Sequence, residues 1–119
     1  MIQETLTQRQ CRFTHALSFL INQAHAQGFE IKIVELNRLP ETQKAYVAKG
    51  VSRTLNSRHL DNLAVDIILY KDGVQVNYGR QYEPLGIYWE GLGGTWGGRW
   101  GETATEIGFD PGHYEFTRP

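Results

Sequence analysis

The sequence predicts an α+β fold, in which a small and largely antiparallel sheet packs against an N-terminal helix. Three observations favour this class: a long amphipathic pattern begins the chain, a hairpin turn signal joins two strand patterns, and a short strand pattern lies near the end. The 119 residues fit a single domain spanning 1–119, and a chain of this length can bury one hydrophobic core.

The most regular pattern is the first helix, which we predict over residues 7–28. We expect Thr7 and Gln10 to form its capping box and Gly28 to end it. The helix would bury one apolar stripe of its surface. This stripe consists of Phe13, Leu17, Leu20, Ile21 and Ala24.

A strand and a second helix are predicted next. Residues 29–36, FEIKIVEL, alternate apolar and charged side chains, which is typical of a half-buried strand. Residues 40–50 predict a short helix with Pro40 in its first turn. The polar residues 51–62 predict a loop.

The remaining elements are shorter. Residues 63–70 predict a strand, and Lys71-Asp72-Gly73 is a hairpin turn signal that leads into residues 74–78. Glu83 and Pro84 can begin another helix, which would run through Trp89. The glycine-rich sequence GLGGTWGGRWGE predicts a loop, and HYEF predicts a last short strand.

Composition argues against several classes of protein. The formal net charge is -1 and there is no basic run, so we expect neither a nucleic-acid binder nor a polybasic membrane-surface protein. Cys11 is the only cysteine, which rules out an intrachain disulfide and a thiolate zinc cluster. No segment approaches the roughly 20 apolar residues of a membrane span, and the first residues lack the pattern of a secretory signal. We therefore expect synthesis in a cytoplasm and no stable membrane association.

One carboxylate interrupts an apolar strand. Alternation of side chains along the strand places Asp66 on the same face as Ala64 and Ile68, within an otherwise apolar layer. An unpaired buried carboxylate is costly or shifts its pKa until it is neutral. Asp66 should therefore have a cation, a cluster of hydrogen-bond donors or a metal beside it. His59, in the preceding loop, can fold back to this position.

A second polar cluster lies near the other end of the chain, in GFDPGHYEF. Its Pro-Gly turn should place His113 at the first position of the last strand and leave Asp110 on the loop. His59, Asp66 and His113 together supply three nitrogen and oxygen ligands, the number in a catalytic zinc site that keeps one position open. The alternative for His59 and Asp66 alone is a buried hydrogen-bonded pair without a metal.

These residues resemble the metal motifs of the zinc D-alanyl-D-alanine carboxypeptidase family, which includes phage L-alanyl-D-glutamate endopeptidases. SRHLDNLAVD is similar to the signature S-x-H-x-x-G-x-A-x-D, and DPGHYEF is similar to the partner motif D-x-x-H. NRLPETQKAYVAKGVSRT is similar to the segment that precedes the first motif in the phage enzymes. Asn62 stands where the signature has glycine, but we expect the turn to form because Asn tolerates left-handed backbone.

The resemblance, which covers almost the whole chain, implies a hedgehog/DD-peptidase-like fold with a zinc site in a cleft above the sheet. It implies that His59, Asp66 and His113 bind one zinc ion and that Asp110 is the general acid/base. Glu115 is a rival base, together with two other glutamates, Glu102 and Glu106. Because Glu115 would share a strand face with His113, we expect it to orient this ligand or to pair with Arg118.

The resemblance also implies supporting residues. Arg38 would stabilise the developing oxyanion or hold the substrate, although a surface ion pair with Glu35 or Glu41 is the alternative. Gln43 would brace the loop that carries the arginine. Ser57 would fix a loop or contact the substrate.

The three tryptophans are candidates for a groove that binds a peptide or a glycan. Trp96 is assigned a substrate-binding or supporting role, with Trp89 and Trp100 as further candidates. Packing in the core is the alternative, because large aromatic side chains dominate small cores. His15 and His25 are expected to be ordinary helix residues.

By this resemblance the protein is a zinc-dependent peptidoglycan peptidase. The predicted function is that of an endolysin, which hydrolyses the L-alanyl-D-glutamate bond of the stem peptide and causes host lysis. It would be made in the host cytoplasm and reach the periplasm and cell wall after holin-dependent release.

Two alternatives stay open. A D-alanyl-D-alanine carboxypeptidase or dipeptidase would use the same zinc chemistry, and would need a cation for the terminal carboxylate; Arg38, Arg53, Arg58 and Arg99 are candidates. A non-catalytic, zinc-stabilised binding domain would not need Asp110, and the presence of this residue argues against it.

Overall fold

The computed structural model describes residues 3–52, 54 and 57–119. This part of the chain forms three α-helices: α1 Leu6–Ala26, α2 Pro40–Ala48 and α3 Glu83–Gly91. It also forms five strands: β1 Glu30–Glu35, β2 Ala64–Lys71, β3 Val74–Gln75, β4 Thr95–Trp96 and β5 His113–Glu115. Every pairing in the sheet is antiparallel, in the order β1-β2-β5-β4, and β3 pairs with β2. The predicted α+β class is confirmed.

The N-cap of helix α1 lies two residues before the predicted one. Its capping box is formed by Thr5 and Gln8: the Thr5 hydroxyl accepts from the Gln8 backbone N–H at 3.1 Å, and the Gln8 side chain accepts from the Thr5 N–H at 2.8 Å. The predicted box of Thr7 and Gln10 is wrong, because the same Thr-x-x-Gln spacing occurs twice and the earlier copy begins the helix. Gln10 instead donates to the Asp61 carbonyl oxygen at 2.6 Å.

Strand β1 departs from the predicted alternation. Ile33 was expected to be buried, but 48% of it is exposed. Ile33 lies opposite the buried Ile67, but β1 is at the edge of the sheet, which leaves Ile33 uncovered on one side. After Ile33 the pairing becomes irregular, because Glu35, two residues later, lies opposite Asp66. Such a bulge bends an edge strand and redirects its side chains. Its consequence here is that Glu35 comes to lie beside Asp66.

The glycine-rich segment is not entirely a loop as predicted, because it contains β4, which pairs with β5. Some of the glycines around the buried Trp96 ring are required because their backbone lies against it. A Cβ atom on Gly86, in α3, or on Gly98 would overlap this ring. Glycines that weaken the helical pattern therefore allow α3 and the following loop to pack closely on Trp96.

The core lies between α1, α3 and one face of the sheet. Helix α1 presents the predicted stripe, in which Phe13, Leu17, Leu20 and Ala24 are buried and Ile21 is partly buried. The main partners of this stripe in the core are large apolar side chains of the sheet and of α3: Leu63, Val65, Ile67, Leu69, Trp89, Trp96, Tyr114 and Phe116.

None of the helices in the described part of the chain combines the length and the apolar character that a membrane span requires.

Candidate metal centre and catalytic cleft

A cleft of about 580 Å³ opens on the face of the sheet away from this core. It contains both predicted metal motifs. Among its lining residues are Arg38, Tyr46, Ser57, Arg58, His59, Asp66, Trp100, Phe109, Asp110, His113 and Glu115.

His59 is held by a short 3-10 helix, Arg58–Asp61, that precedes β2. The Ser57 hydroxyl caps this turn by accepting from the His59 backbone N–H at 3.2 Å. Asn62 ends it in left-handed backbone, with φ of 54°, as expected for the residue in the glycine position of the motif. The Asn62 side chain also accepts from the Asn37 amide at 2.8 Å, which ties the turn to the loop after β1.

Asp66 and His113 lie directly opposite each other in the pairing of β2 with β5. Because side chains alternate along a strand, the neighbouring pair, Val65 and Tyr114, points into the core. Asp66 was expected to point into a buried layer. The structure corrects this, because its side chain faces the cleft and is 28% exposed.

The three predicted ligands converge, since one donor atom from each of His59, Asp66 and His113 lies within 4.8 Å of the others. The His59 Nε2 atom is 3.0 Å from Asp66 Oδ2, and the His113 Nδ1 atom is 2.8 Å from Asp66 Oδ1. The two imidazole rings thus approach the same carboxylate from different sides.

The hydrogen bonds at the outer ring atoms fix which nitrogen of each imidazole faces the carboxylate. His59 Nδ1 lies 2.9 Å from the Leu36 carbonyl oxygen, which can only accept, so Nδ1 carries the proton. The opposite ring atom, His59 Nε2, is buried and faces the Asp66 carboxylate. His113 Nε2 lies 2.7 Å from the Glu115 carboxylate and donates to it. Two imidazole nitrogens and a carboxylate oxygen, each oriented from outside, form a donor set that fits zinc.

Without a cation beside it, the His113 imidazole holds its proton tightly. Burial disfavours the charged imidazolium, but hydrogen bonds to Asp66 and Glu115 raise the pKa of His113 to about 9. Burial likewise opposes ionisation of Asp66, yet the hydrogen bonds from His113 and His59 hold the pKa of Asp66 well below its usual range. The carboxylate is therefore negatively charged, as a metal ligand must be.

Asp110 lies on the loop before β5, at the mouth of the cleft. Its Oδ2 atom is 3.9 Å from His113 Nδ1, and its side chain is 44% exposed. Loss of solvation raises the pKa of Asp110, although the nearby His113 opposes this shift. A carboxyl group with a raised pKa beside the ligands can accept and return a proton.

Trp96 supports the turn that carries Asp110 and His113. Its indole N–H donates to the Pro111 carbonyl oxygen at 2.7 Å, and its ring is fully buried. Trp96 therefore does not line a groove, and only the supporting part of its predicted role is compatible with the structure. Trp89 is also a core residue. Trp100 does line the cleft, with its ring centre 4.8 Å from that of His113.

We expect Gly97→Ala to displace this same turn. A Cβ atom on Gly97 would lie 2.9 Å from the His113 Cβ and would overlap the Asp110 carbonyl oxygen. Overpacking of this kind should lower the free energy of unfolding by about 1–3 kcal/mol, measured by denaturant titration. The matched control is Gly91→Ala, at the end of α3, where the added methyl meets no atom within 4 Å. A Gly97→Ala protein as stable as the parent contradicts the packing argument.

Arg38 is held almost completely by the chain itself. Its Nε donates to Glu35 Oε1 at 2.6 Å and its Nη2 donates to the same oxygen, while Nη1 donates to Gln43 at 2.7 Å and contacts Ser57 at 3.3 Å. Nη2 also lies 3.8 Å from Asp66 Oδ2. Since a guanidinium has five N–H groups, the second N–H of Nη2 remains available to a substrate oxygen beside the ligands.

Arg38 makes both predicted contacts: the one with Gln43, which was expected to fix the loop, and the alternative ion pair with Glu35. Gln43 is buried, accepts from Arg38 and donates to Ser52 at 2.9 Å, which fixes the loop in the predicted manner. The ion pair with Glu35 lies inside the cleft instead of on the surface. It therefore orients the guanidinium and does not hold it away from the ligands. Tyr46 was not predicted to contribute: its ring lies 4.7 Å from the Arg38 guanidinium, and its hydroxyl donates to Glu35 at 3.3 Å.

The other predicted carboxylates and arginines differ in whether they lie in the cleft. Glu115 orients His113, whereas Arg118 pairs with Asp61 and not with Glu115. Of the rival bases, Glu102 pairs with Arg99 away from the cleft, and Glu106 is exposed outside it. Among the arginines proposed to bind a terminal carboxylate, Arg38 and Arg58 line the cleft, Arg99 does not, and Arg53 lies outside the described residues.

Comparisons with known proteins bear on the family and the fold of the chain. No family model matches the chain. It is 34% identical over 85 residues to the L-alanyl-D-glutamate peptidase of Listeria phage A118, a match that covers 68% of this chain and 30% of that protein. The chain thus spans under a third of the length of this relative.

Two solved structures share the fold. The Serratia marcescens L-Ala D-Glu endopeptidase ChiX superposes with a TM-score of 0.64 and 27% identity, over 85% of this chain and 77% of that one. The vancomycin resistance D,D-pentapeptidase VanY, determined in complex with Zn(II), gives a TM-score of 0.59 and 23% identity, over 88% and 70%. At that identity the second comparison concerns the fold alone.

Proposed function

Because the chain belongs to the D-alanyl-D-alanine carboxypeptidase family, in the branch of the L-alanyl-D-glutamate peptidases, we propose that it is a zinc-dependent peptidase of peptidoglycan. Its proposed substrate bond is that between L-alanine and D-glutamate in the stem peptide. The observation that carries the proposal is the convergence of His59, Asp66 and His113 in one cleft, with Asp110 beside them.

His59, Asp66 and His113 would hold one zinc ion, with Glu115 and the Leu36 carbonyl as the groups that orient the two imidazoles. Zinc bound by three protein ligands lowers the pKa of water and polarises a carbonyl group. The chain supplies the remaining chemistry through its own side chains.

Asp110 would take the proton from the attacking water and return it to the leaving amine. Its raised pKa suits this exchange, because the carboxyl group can hold the proton between the two transfers. The available N–H of Arg38 would stabilise the oxygen that becomes negative as the carbonyl is attacked. Glu35 and Gln43 keep the guanidinium in place, so little reorganisation is needed during the reaction.

The two alternatives have weaker support. The solved D,D-peptidase is below 25% identical, so its likeness supports the fold and not the carboxypeptidase reaction. A non-catalytic zinc-stabilised domain has no use for Asp110, which faces the cleft. We propose host-cell lysis as the biological role, with release from the host cytoplasm to the wall through a holin; the phage relative supports this role.

Digestion of purified peptidoglycan tests the proposed bond. We expect mass spectrometry to show stem-peptide fragments with a new N-terminal D-glutamate, and we expect a chelator to abolish their release. Added zinc should restore it. Release of terminal D-alanine without new D-glutamate termini would overturn the proposed bond in favour of the carboxypeptidase.

A further inference from the structure

A second groove meets the catalytic cleft at the metal ligands. It has a volume of about 390 Å³, and Asp66 and Asp110 line both cavities. Its walls come from the opposite side of the site: Val34 of β1, Ile68 of β2, Gln75 of β3, Asn77 after the hairpin and Pro111 of the turn. The two cavities therefore adjoin at these two carboxylates.

The two cavities differ in charge. The cleft presents Arg38 and Arg58, which are paired with Glu35 and Asp61, together with the carboxylates of Asp66, Asp110 and Glu115. The described lining of the second groove contains no lysine or arginine, and its only carboxylates are the two shared ones, Asp66 and Asp110. Among the described lining residues, cationic side chains therefore occur only in the cleft, and the second groove suits a neutral group.

The groove also has surface that a ligand can cover. Val34 is 56% exposed and lies within the bulge of β1, between Ile33 and Glu35. Ile68 is partly buried, and the side chains of Gln75 and Asn77 are exposed. Bulges next to active sites commonly redirect side chains in this way. The wall of the groove combines apolar side chains with the amide side chains of Gln75 and Asn77. It therefore fits a small apolar residue joined to a neutral group that carries several hydrogen-bond donors and acceptors.

We propose that this second groove binds the part of the substrate that precedes the scissile bond. That part is the L-alanyl residue and the lactyl and N-acetyl groups of the sugar to which it is joined. The D-glutamyl side, which carries carboxylates, then lies in the cleft with Arg58 and Arg38. This assignment depends on the proposed function and deepens it by giving the substrate a direction across the site.

The presence of a cavity on each side of Asp66 and Asp110 also matters for the type of peptidase. Cleavage of an internal bond requires space for chain on both sides of the reacting carbonyl. A site that removes terminal residues needs a long path on one side only. The second groove provides the other side and so favours an internal bond.

The test compares the cleavage of two soluble substrates by variants in which the second groove is blocked. The first substrate is a muramoyl stem peptide, and the second is the same peptide beginning at L-alanine. We expect Gln75→Trp to fill the groove and lower kcat/KM for the muramoyl substrate by roughly tenfold, while cleavage of the shorter peptide changes less than about twofold. Asn77→Trp should act in the same direction from the next part of the wall.

Val74→Trp is the matched control. Val74 is the other residue of β3, is 67% exposed and does not line the groove, so neither substrate should be affected. Melting temperature and zinc content of each variant report on folding. Equal losses for both substrates in Gln75→Trp and Asn77→Trp, or no loss for either, would overturn the assignment of the groove. If the parent protein does not cut the L-alanyl-D-glutamate bond at all, the parent alone shows that the proposed function has failed, and this assignment fails with it.

Discussion

His113→Ala is expected to abolish both zinc binding and cleavage of peptidoglycan. The substitution removes one of three converging donors and leaves the Asp66 and Glu115 carboxylates facing each other without the imidazole between them. Two remaining ligands, His59 and Asp66, are too few for a stable catalytic zinc site. Zinc content of the purified protein, by elemental analysis, and muropeptide release should both fall to background.

His15→Ala is the matched control, because His15 is exposed on α1 and far along the chain from the cleft residues. It should keep the zinc content and the activity of the parent. Zinc retained in His113→Ala at the level of the parent would contradict the ligand assignment, whereas loss of zinc together with loss of the folded structure calls for the milder His113→Gln.

Asp110→Asn should give the opposite combination, an intact metal site with little turnover. Asparagine keeps the shape of the side chain but can neither accept nor return the proton, and general acid–base catalysis contributes roughly 10²–10⁴-fold. We therefore expect kcat/KM for the muropeptide to fall by about that factor. Zinc content and melting temperature should not change, because Asp110 lies outside the three-residue cluster.

The control for this substitution is Asp72→Asn, in the hairpin between β2 and β3. Asp72 is exposed and has left-handed backbone with φ of 53°, which asparagine tolerates equally well. Its variant should match the parent in all three measurements. If Asp110→Asn is as active as the parent, the proton-transfer role belongs to another group, and Glu115 is the next candidate.

The polar motifs allowed much of the candidate site to be predicted from the sequence, because an aspartate within an apolar strand is physically costly unless something pairs with it. This reasoning identified Asp66, and the Pro-Gly turn identified the start of β5. The roles of these residues in catalysis stay predictions. The confirmed part is the α+β class, together with the order of its main helices and strands.

Three of the errors share one physical origin, since each depends on contacts between distant parts of the chain. The exposure of Ile33 follows from the position of β1 at the edge of the sheet, and local alternation does not reveal it. The burial of Trp96 follows from glycines in α3 and in the loop that approach the ring closely. Likewise, the cleft position of the Glu35–Arg38 pair depends on the bulge in β1, so spacing alone suggested an ordinary surface ion pair.

The direct opposition of Asp66 and His113 across β2 and β5 has a consequence for folding. A slip of β5 by one residue against β2 would turn His113 towards the core and bring Tyr114 out to solvent, while Asp66 stays on the cleft face. A misaligned chain therefore loses metal affinity at the same moment as it loses apolar burial. Zinc uptake during refolding should consequently report the fraction of molecules whose central strands are correctly aligned.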